Sequence, residues 1–263
     1  MIELIVTDLD GTLLDEGKRV RQADRKMLKE AVQNGSQLCL ASGRMQRELE
    51  QVMDSIGIAA HGVSQNGAFV RTRDGELLAE HLFSPDLAVA LFEEIQREEL
   101  FQLVCLEHEL LTHRRIGMAA AVESRLFAPI RLVPELGSAL LRQEVTPCKF
   151  SFFGELKRLQ PLKHRLESRF REEVDLFISD RDCLDVMPRG ISKGRGLQIL
   201  AEHLHISPEN ILTVGDAFND VSMFESFPRL SFAMSHAPEG VRAKAAQTAE
   251  SVESAVKQAM VHF

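Results

Sequence analysis

With 263 residues, 44% of them apolar, the chain is long enough for one large domain or two modest ones, with a sizeable core and no wholesale disorder. Its formal net charge of -8 argues against a general nucleic-acid binder, which needs a basic stripe to displace counterions. The short basic stretches His113-Arg114-Arg115 and Lys163-His164-Arg165 are flanked by acids and read as solvated faces. Cys39, Cys105, Cys148 and Cys183 form no C-x-x-C pair and have no zinc-like His spacing. Cys39 and Cys148 lie in apolar runs, where a reduced, buried thiol is the usual state. No secretory signal opens the chain, and nothing approaches the roughly 18–20 apolar residues of a membrane span. A cytoplasmic protein without a membrane partner is the expectation.

Short apolar runs alternate with helical periodicity, which predicts an α/β fold on a mainly parallel sheet. Ile2 to Thr7 reads as a buried strand ending at Asp8. A helix follows over Ala23 to Asn34, with Ala23, Met27, Ala31 and Val32 on one face and Gly35 as its stop signal. Gln37 to Ala41 is the next strand, leading through Ser42-Gly43 into a helix carrying Met45, Leu49, Val52, Met53 and Ile56. Val63 ends a third strand, and 68–81 reads as a hairpin turned at Asp74-Gly75. At Ser84-Pro85 the character changes. Ser84 is a good N-cap, and Pro85 suits the first position of a helix reaching Glu99. Strands follow over 101–106 and 110–113, then a helical stretch after Ile116, a strand at 148–153, an amphipathic helix to Phe170, and strands near Leu176 and Leu184. From Ile191 the parallel pattern resumes, with a helix from Ser192, a strand over 211–214 and a helix near Asn219. The last strand is 230–233, and 241–246 and 252–260 read as helical. The expected architecture is a doubly wound, Rossmann-like parallel-sheet core (1–82 and 189–263) with an inserted α+β cap domain (83–188).

In an open parallel sheet, ligands collect at the carboxyl ends of the strands near the topological switch point. Asp8 and Asp10 follow the first strand, Ser42 follows the second, Asp216 follows the strand after the insertion, and Lys193 lies in the first turn of the re-entering helix. Phosphoryl transfer needs an in-line nucleophile, charge neutralisation and proton delivery to the leaving oxygen. A carboxylate nucleophile and a phosphate dianion repel each other, so a hard divalent cation must bridge them. Asp8 and Asp216, with carbonyl and water oxygens, suit octahedral Mg²⁺. On this reading Asp8 attacks and Asp10 protonates the leaving group, then deprotonates the water that cleaves the intermediate. Ser42, the Gly43 N–H and the adjacent helix N-terminus hold phosphate oxygens, and Lys193 supplies a compact positive charge.

These residues resemble the haloacid dehalogenase superfamily across both core segments. Asp8-Leu9-Asp10-Gly11-Thr12 matches its D-x-D-G-T motif, Ala41-Ser42-Gly43-Arg44 its serine/threonine motif, Gly190-Ile191-Ser192-Lys193-Gly194 its lysine motif, and Gly215-Asp216-Ala217-Phe218-Asn219-Asp220 its acidic motif. With Gln65-Asn66-Gly67-Ala68 and Phe232-Ala233-Met234, the chain looks like the Cof-type, type IIB branch. The resemblance implies a mobile cap, Mg²⁺ dependence and hydrolysis of small phosphorylated metabolites through an aspartyl-phosphate. It also implies Mg²⁺ ligation by Asp8, Asp216 and the Asp10 carbonyl, with phosphate contacts from Leu9, Ser42, Gly43, Lys193 and Asn219, and support of the metal shell by Asp220. Ser42 replaces the branch's common threonine but keeps the hydroxyl. Ser235-His236 stands where the branch usually has Gly-Asn, which puts the geometry of that loop in question. Arg44 is a candidate substrate contact, and His113, Arg114 and Arg115 are weaker ones. Phe92, Phe101 and Phe152 read as core. A phosphomutase acting on sugar phosphates and a non-catalytic phosphometabolite-binding module are the alternatives.

Overall fold

The computed structural model describes residues 1–96, 98–126, 128–180 and 182–261. The chain divides into two compact units, one built from Met1–Glu80 with Ser192–Phe263 and the other from His81–Ile191.

The first unit starts with β1 (Leu4–Thr7), α1 (Gln22–Gln33), β2 (Gln37–Ala41), α2 (Gln46–Ile56), β3 (His61–Ser64) and the hairpin β4 (Phe69–Arg71) with β5 (Leu77–Glu80). β1 is buried along its whole length, as expected of a central strand covered on both faces. The buried face of α1 is Asp24, Leu28 and Ala31, rotated from the face that the apolar residues alone suggest. Asp24 is buried because its carboxylate accepts from the Glu253 N–H at 2.7 Å and from Arg21 Nε at 2.7 Å. A carboxylate that caps another helix can occupy a core position that hydropathy would leave to an apolar side chain.

The second unit comprises α3 (Pro85–Ile95), β6 (Phe101–Cys105), β7 (Leu110–Thr112), α4 (Ala119–Glu123), β8 (Ile130–Leu132), α5 (Leu136–Leu141), β9 (Lys149–Phe153), α6 (Leu156–Phe170), β10 (Val174–Asp180) and β11 (Cys183–Pro188). Its six strands run in the order β10-β11-β9-β6-β7-β8, all pairs antiparallel except β7 with β8. Ser84 caps α3 by accepting from the Leu87 N–H. The helix stops at Ile95, short of the predicted Glu99, because Glu98 N–H turns back to the Ile95 carbonyl and Leu100 enters the core. One face of the sheet and its helices enclose a core that includes Phe92, Phe150, Phe152, Leu159, Leu166 and Phe170. Phe101 is also buried, at the start of β6. Burying each such side chain stabilises by roughly 1.5–3 kcal/mol.

The chain then returns to the first unit with α7 (Lys193–Leu204), β12 (Ile211–Gly215), α8 (Val221–Ser226), β13 (Leu230–Met234), α9 (Glu239–Arg242), β14 (Gln247–Ala249) and α10 (Val252–Met260). The completed sheet has the order β14-β13-β12-β1-β2-β3-β4-β5. β14 through β3 are parallel to their neighbours, and β4 and β5 are antiparallel. The core is thus Rossmann-like, with β1 at the switch point between β2 and β12. The sheet does not end at β13: β14 adds a three-residue edge strand whose Gln247 and Thr248 carry no apolar pattern. The predicted 241–246 helix is correspondingly shorter. All four cysteines are buried and reduced. Among the described residues, no helix is long and apolar enough to cross a membrane.

Candidate active site

The carboxyl ends of β1 and β12 lie side by side, since Thr7 pairs with Val214 and the Asp8 N–H donates to the Val214 carbonyl at 2.9 Å. That register brings together Asp8 and Asp216, which are 208 positions apart in the sequence. Gly11 has φ of +80°, and a Cβ there would lie 2.9 Å from Cγ of Asp216. The D-x-D-G turn therefore needs glycine both for its backbone conformation and for the close approach of the Asp216 carboxylate. Thr12 Oγ1 donates to Asp216 Oδ1 at 3.0 Å and fixes the other side of that carboxylate.

Lys193 is the first residue of α7, whose N-terminus Ser192 caps by accepting from the Arg195 N–H. Its ammonium bridges Asp8 Oδ1 and Asp220 Oδ1, both at 2.6 Å, and the side chain is 1% exposed. Asp220 turns its other oxygen to the N–H groups of Asp216 and Ala217, at 2.8 and 2.9 Å. It thus shapes the acidic loop as well as holding the lysine. Oxygens of Asp8, Asp216 and Asp220 converge within 4.8 Å of one another. Burial, reinforced by neighbouring carboxylates, pushes Asp8 well above the usual carboxylate range despite the opposing pull of Lys193. Burial and then Asp220 push Asp216 up to about 7. Burial works against the Lys193 ammonium, but Asp220 and Asp8 outweigh it and raise its pKa. Three carboxylates facing one ammonium leave an excess of negative charge on hard oxygen donors. Asp8 and Asp216, which are not tied to backbone N–H groups as Asp220 is, fit a divalent cation such as Mg²⁺.

Leu9 is fully buried. Ser42, 2% exposed at the end of β2, accepts from the Arg44 N–H through Oγ at 3.3 Å. Its carbonyl accepts from the Asn66 N–H at 2.9 Å. Ser42 does not cap α2. The N-cap is Met45, whose N–H donates to Glu48 at 3.0 Å. Gly43 sits against Asn66, where a Cβ would come within 3.1 Å of Oδ1. Asn219 Nδ2 donates to Asn66 Oδ1 at 3.0 Å, which joins the serine and acidic loops. Asn66 and its neighbour Gln65 both have positive φ, 57° and 48°. Gly67 behind them passes so close to the Ser192 carbonyl that a Cβ would lie 2.7 Å from its carbon. The Gln65-Asn66-Gly67 turn, read from the sequence only as a branch signature, is thus wedged between two motif loops in a conformation that side chains rarely adopt.

Asp10 has an environment of its own. Arg44 forks onto it, Nε to Oδ2 at 2.6 Å and Nη2 to Oδ1 at 2.8 Å, while Nη1 donates to the buried Glu48 at 2.7 Å. Lys18 Nζ also reaches Asp10 Oδ1, at 2.5 Å. Burial alone would raise the Asp10 pKa, but Arg44 and then Lys18 outweigh it and hold the carboxyl at about 2. Neither Lys18 nor Glu48 belongs to any of the sequence motifs. Glu48 stands three residues after the N-cap Met45, but methionine is not a capping residue, so the capping-box sequence signature is absent; Lys18 is signalled only by the adjacent Gly17.

His236 lies 3.8 Å from Asp216 Oδ2, and Ser235 bonds to the Ala249 carbonyl and to Glu250, so the departing loop remains anchored. The weaker candidates have partners within the second unit. His113 meets Phe92 edge-on, Arg114 donates to the Glu98 carbonyl, and Arg115 pairs with Glu123.

The model of the haloacid dehalogenase-like hydrolase family matches residues 5–260. An HMP-PP phosphatase from Yersinia enterocolitica is 27% identical over 238 residues, covering 87% of this chain and 82% of that protein. The crystal structure of a haloacid dehalogenase-like hydrolase from Bacteroides thetaiotaomicron superposes with a TM-score of 0.83 at 25% identity, over 98% of this chain and all of that one. A subclass IIB sugar phosphatase shares the fold, with a TM-score of 0.82 at 20% identity over 99% and 98% of the two chains. The family match spans both segments of the first unit and all of the second, and the chain belongs to the haloacid dehalogenase-like hydrolase family.

Proposed function

We propose that the chain is a Mg²⁺-dependent phosphatase acting on small phosphorylated metabolites through an aspartyl-phosphate on Asp8. The observation that carries this reading is the convergence on Asp8 of a buried ammonium, Lys193 at 2.6 Å, and two further carboxylates. A nucleophilic carboxylate that must meet a phosphate dianion needs that combination of a fixed positive charge and a cation site. When bound, Mg²⁺ would supply the charge that lets Asp8 approach the phosphoryl group. Its ligands would be Asp8, Asp216 and the Asp10 carbonyl.

An oxygen of Asp8 attacks phosphorus as the bond to the leaving oxygen breaks, and Asp10 gives that oxygen its proton. Asp10, now ionised, takes a proton from water. The resulting hydroxide attacks phosphorus, which releases inorganic phosphate and restores Asp8. The observed contacts of Asp10 favour the second half of this cycle, since Arg44 and Lys18 stabilise its ionised form. The acid half requires one of those cations to shift when substrate is seated. Leu9, Ser42, Gly43, Lys193 and Asn219 would hold the phosphoryl oxygens, and Asp220 keeps Lys193 and the acidic loop in place. The Yersinia HMP-PP phosphatase and similarly named relatives support a phosphorylated small-molecule substrate. The excess of acids over bases speaks against a nucleic-acid one.

Turnover of a phosphate-ester panel with Mg²⁺, in ¹⁸O-labelled water, tests this reading. Inorganic phosphate should carry the label, whereas a mutase returning the group to a sugar would release none. Asp8→Asn should lose turnover by at least about a thousandfold, the scale of an essential nucleophile. Near-native activity in that variant defeats the mechanism.

A further inference from the structure

Leu14 bridges back to Asp10 in the parallel sense and pairs with Val20 in the antiparallel sense, closing a small hairpin. Its tip is closed by backbone bonds: Lys18 N–H to the Asp15 carbonyl at 2.9 Å and Asp15 N–H to the Arg19 carbonyl at 3.0 Å. The Arg19 N–H also donates to Asp15 Oδ1 at 2.9 Å. This closure puts Lys18 in the left-handed region, at φ +58°, a conformation that costs a side-chain-bearing residue energy and that folds tend to keep where it serves a site. The result is that the Lys18 ammonium lies on Asp10.

Orientation of Asp10 does not require it. Arg44 alone bonds both Asp10 oxygens, and Arg44 is in turn pinned by the buried Glu48. Arg44 is also closed off, with 7% of its side chain exposed, whereas Lys18 leaves 31% of its side chain to solvent. Lys18 is therefore the second, redundant and accessible cation on the carboxyl that faces the leaving group. A leaving oxygen bonded to Asp10 Oδ1, the oxygen that Lys18 contacts, at about 2.6–3.2 Å stands within roughly 6 Å of Lys18 Nζ. That separation lets an anionic substituent one or two bonds beyond the oxygen reach the ammonium.

We propose that Lys18 is a specificity-determining residue whose ammonium receives an anionic group, a carboxylate or a phosphate, carried next to the leaving oxygen of the substrate. This inference rests on the assignment of Asp10 to the leaving-group side. An anion there takes over the partner that Lys18 now finds in Asp10, so binding of the substrate and release of Asp10 by one cation are the same event.

The test compares kcat/KM of the full chain for three probes: phosphoglycolate, methyl diphosphate and the neutral near-isostere 2-hydroxyethyl phosphate. The wild type should favour one or both anionic probes, and which of them it favours identifies the anion. In Lys18→Ala and Lys18→Met the ratio of anionic to neutral turnover should fall at least about tenfold, and Lys18→Arg should restore most of it. An equal loss on all three probes assigns Lys18 to positioning Asp10 and overturns the proposal, as does a ratio that does not move. Absence of Mg²⁺-dependent turnover of every probe and of a wider ester panel defeats the phosphatase reading together with this one. Turnover with an unmoved ratio defeats this one alone.

Discussion

Lys193→Met separates the charge of this residue from its packing, because methionine keeps the apolar stem and deletes the ammonium. In the native chain that ammonium touches Asp8 and Asp220 at 2.6 Å each, and side-chain exposures are 1% for Lys193, 7% for Asp8 and none for Asp220. Deleting one member of a buried ion pair costs about 3–5 kcal/mol, since it leaves a charge without water or partner. Two carboxylates lose their partner here, so the upper half of that range applies, less whatever they recover by taking up protons. At about 2–4 °C of melting temperature per kcal/mol for a unit of this size, the midpoint should fall by roughly 10 °C. Saturating Mg²⁺ should recover part of the loss in the variant, because a cation binding the native state stabilises it by mass action. Turnover should fall by about 10²–10³-fold, the cost of removing one preorganised electrostatic contact to a transition state. Thermal unfolding with and without Mg²⁺, followed by initial rates on one ester, measures all three. A midpoint within about 2 °C of wild type, with turnover within about tenfold, would show that Lys193 is not the charge partner of Asp8 and Asp220.

Two other perturbations probe the scaffold around the site. His61 is 1% exposed, accepts the Arg73 N–H through Nδ1 and bonds Gln37 Oε1 through Nε2, so the ring is held neutral. Burial, with Arg73 adding to it, lowers its pKa from the usual 6.5 to about 4. Because the unfolded chain takes up the proton first, this contribution is complete above pH 6.5 and is lost as pH falls toward 4, with about 2 kcal/mol gone by pH 5. Denaturant titrations at pH 5 and 7 should show that loss in the wild type and a flatter response in His61→Gln; parallel curves for the two proteins would rule it out. Gly11→Ala forces a left-handed alanine against the Asp216 carboxylate. It should raise the Mg²⁺ concentration needed for half-maximal activity by about tenfold, the scale of disturbing one ligand's support. An unchanged Mg²⁺ titration would mean that Asp216 is not a ligand.

What could be read from the sequence divides along a physical line. Asp8, Ser42, Lys193 and Asp216 were legible because each ends a strand or starts a helix. Once the strands were recognised as parallel, the sheet itself carried those residues to one edge, with β1 between β2 and β12. The Asp24 face of α1 and the edge strand β14 were not legible, since their stability comes from a cap on Glu253 and from the backbone of β13 rather than from any apolar period. The environment of Asp10 belongs to the same class. Its Arg44 fork depends on a buried Glu48 one helical turn further on, and its Lys18 contact depends on a hairpin only a few residues long, bent through a left-handed lysine. Lys18, eight positions from Asp10, looks like an ordinary solvated side chain, and Arg44, thirty-four away, reads as a candidate substrate contact, until turn geometry sets both on Asp10. For this chain, the residues proposed to carry the reaction are placed by regular structure. The residues that contact Asp10, the proposed proton carrier, are placed by irregular structure instead. Substitutions at Lys18 should therefore alter which esters are cleaved, whereas those at Asp8 or Lys193 alter whether any are.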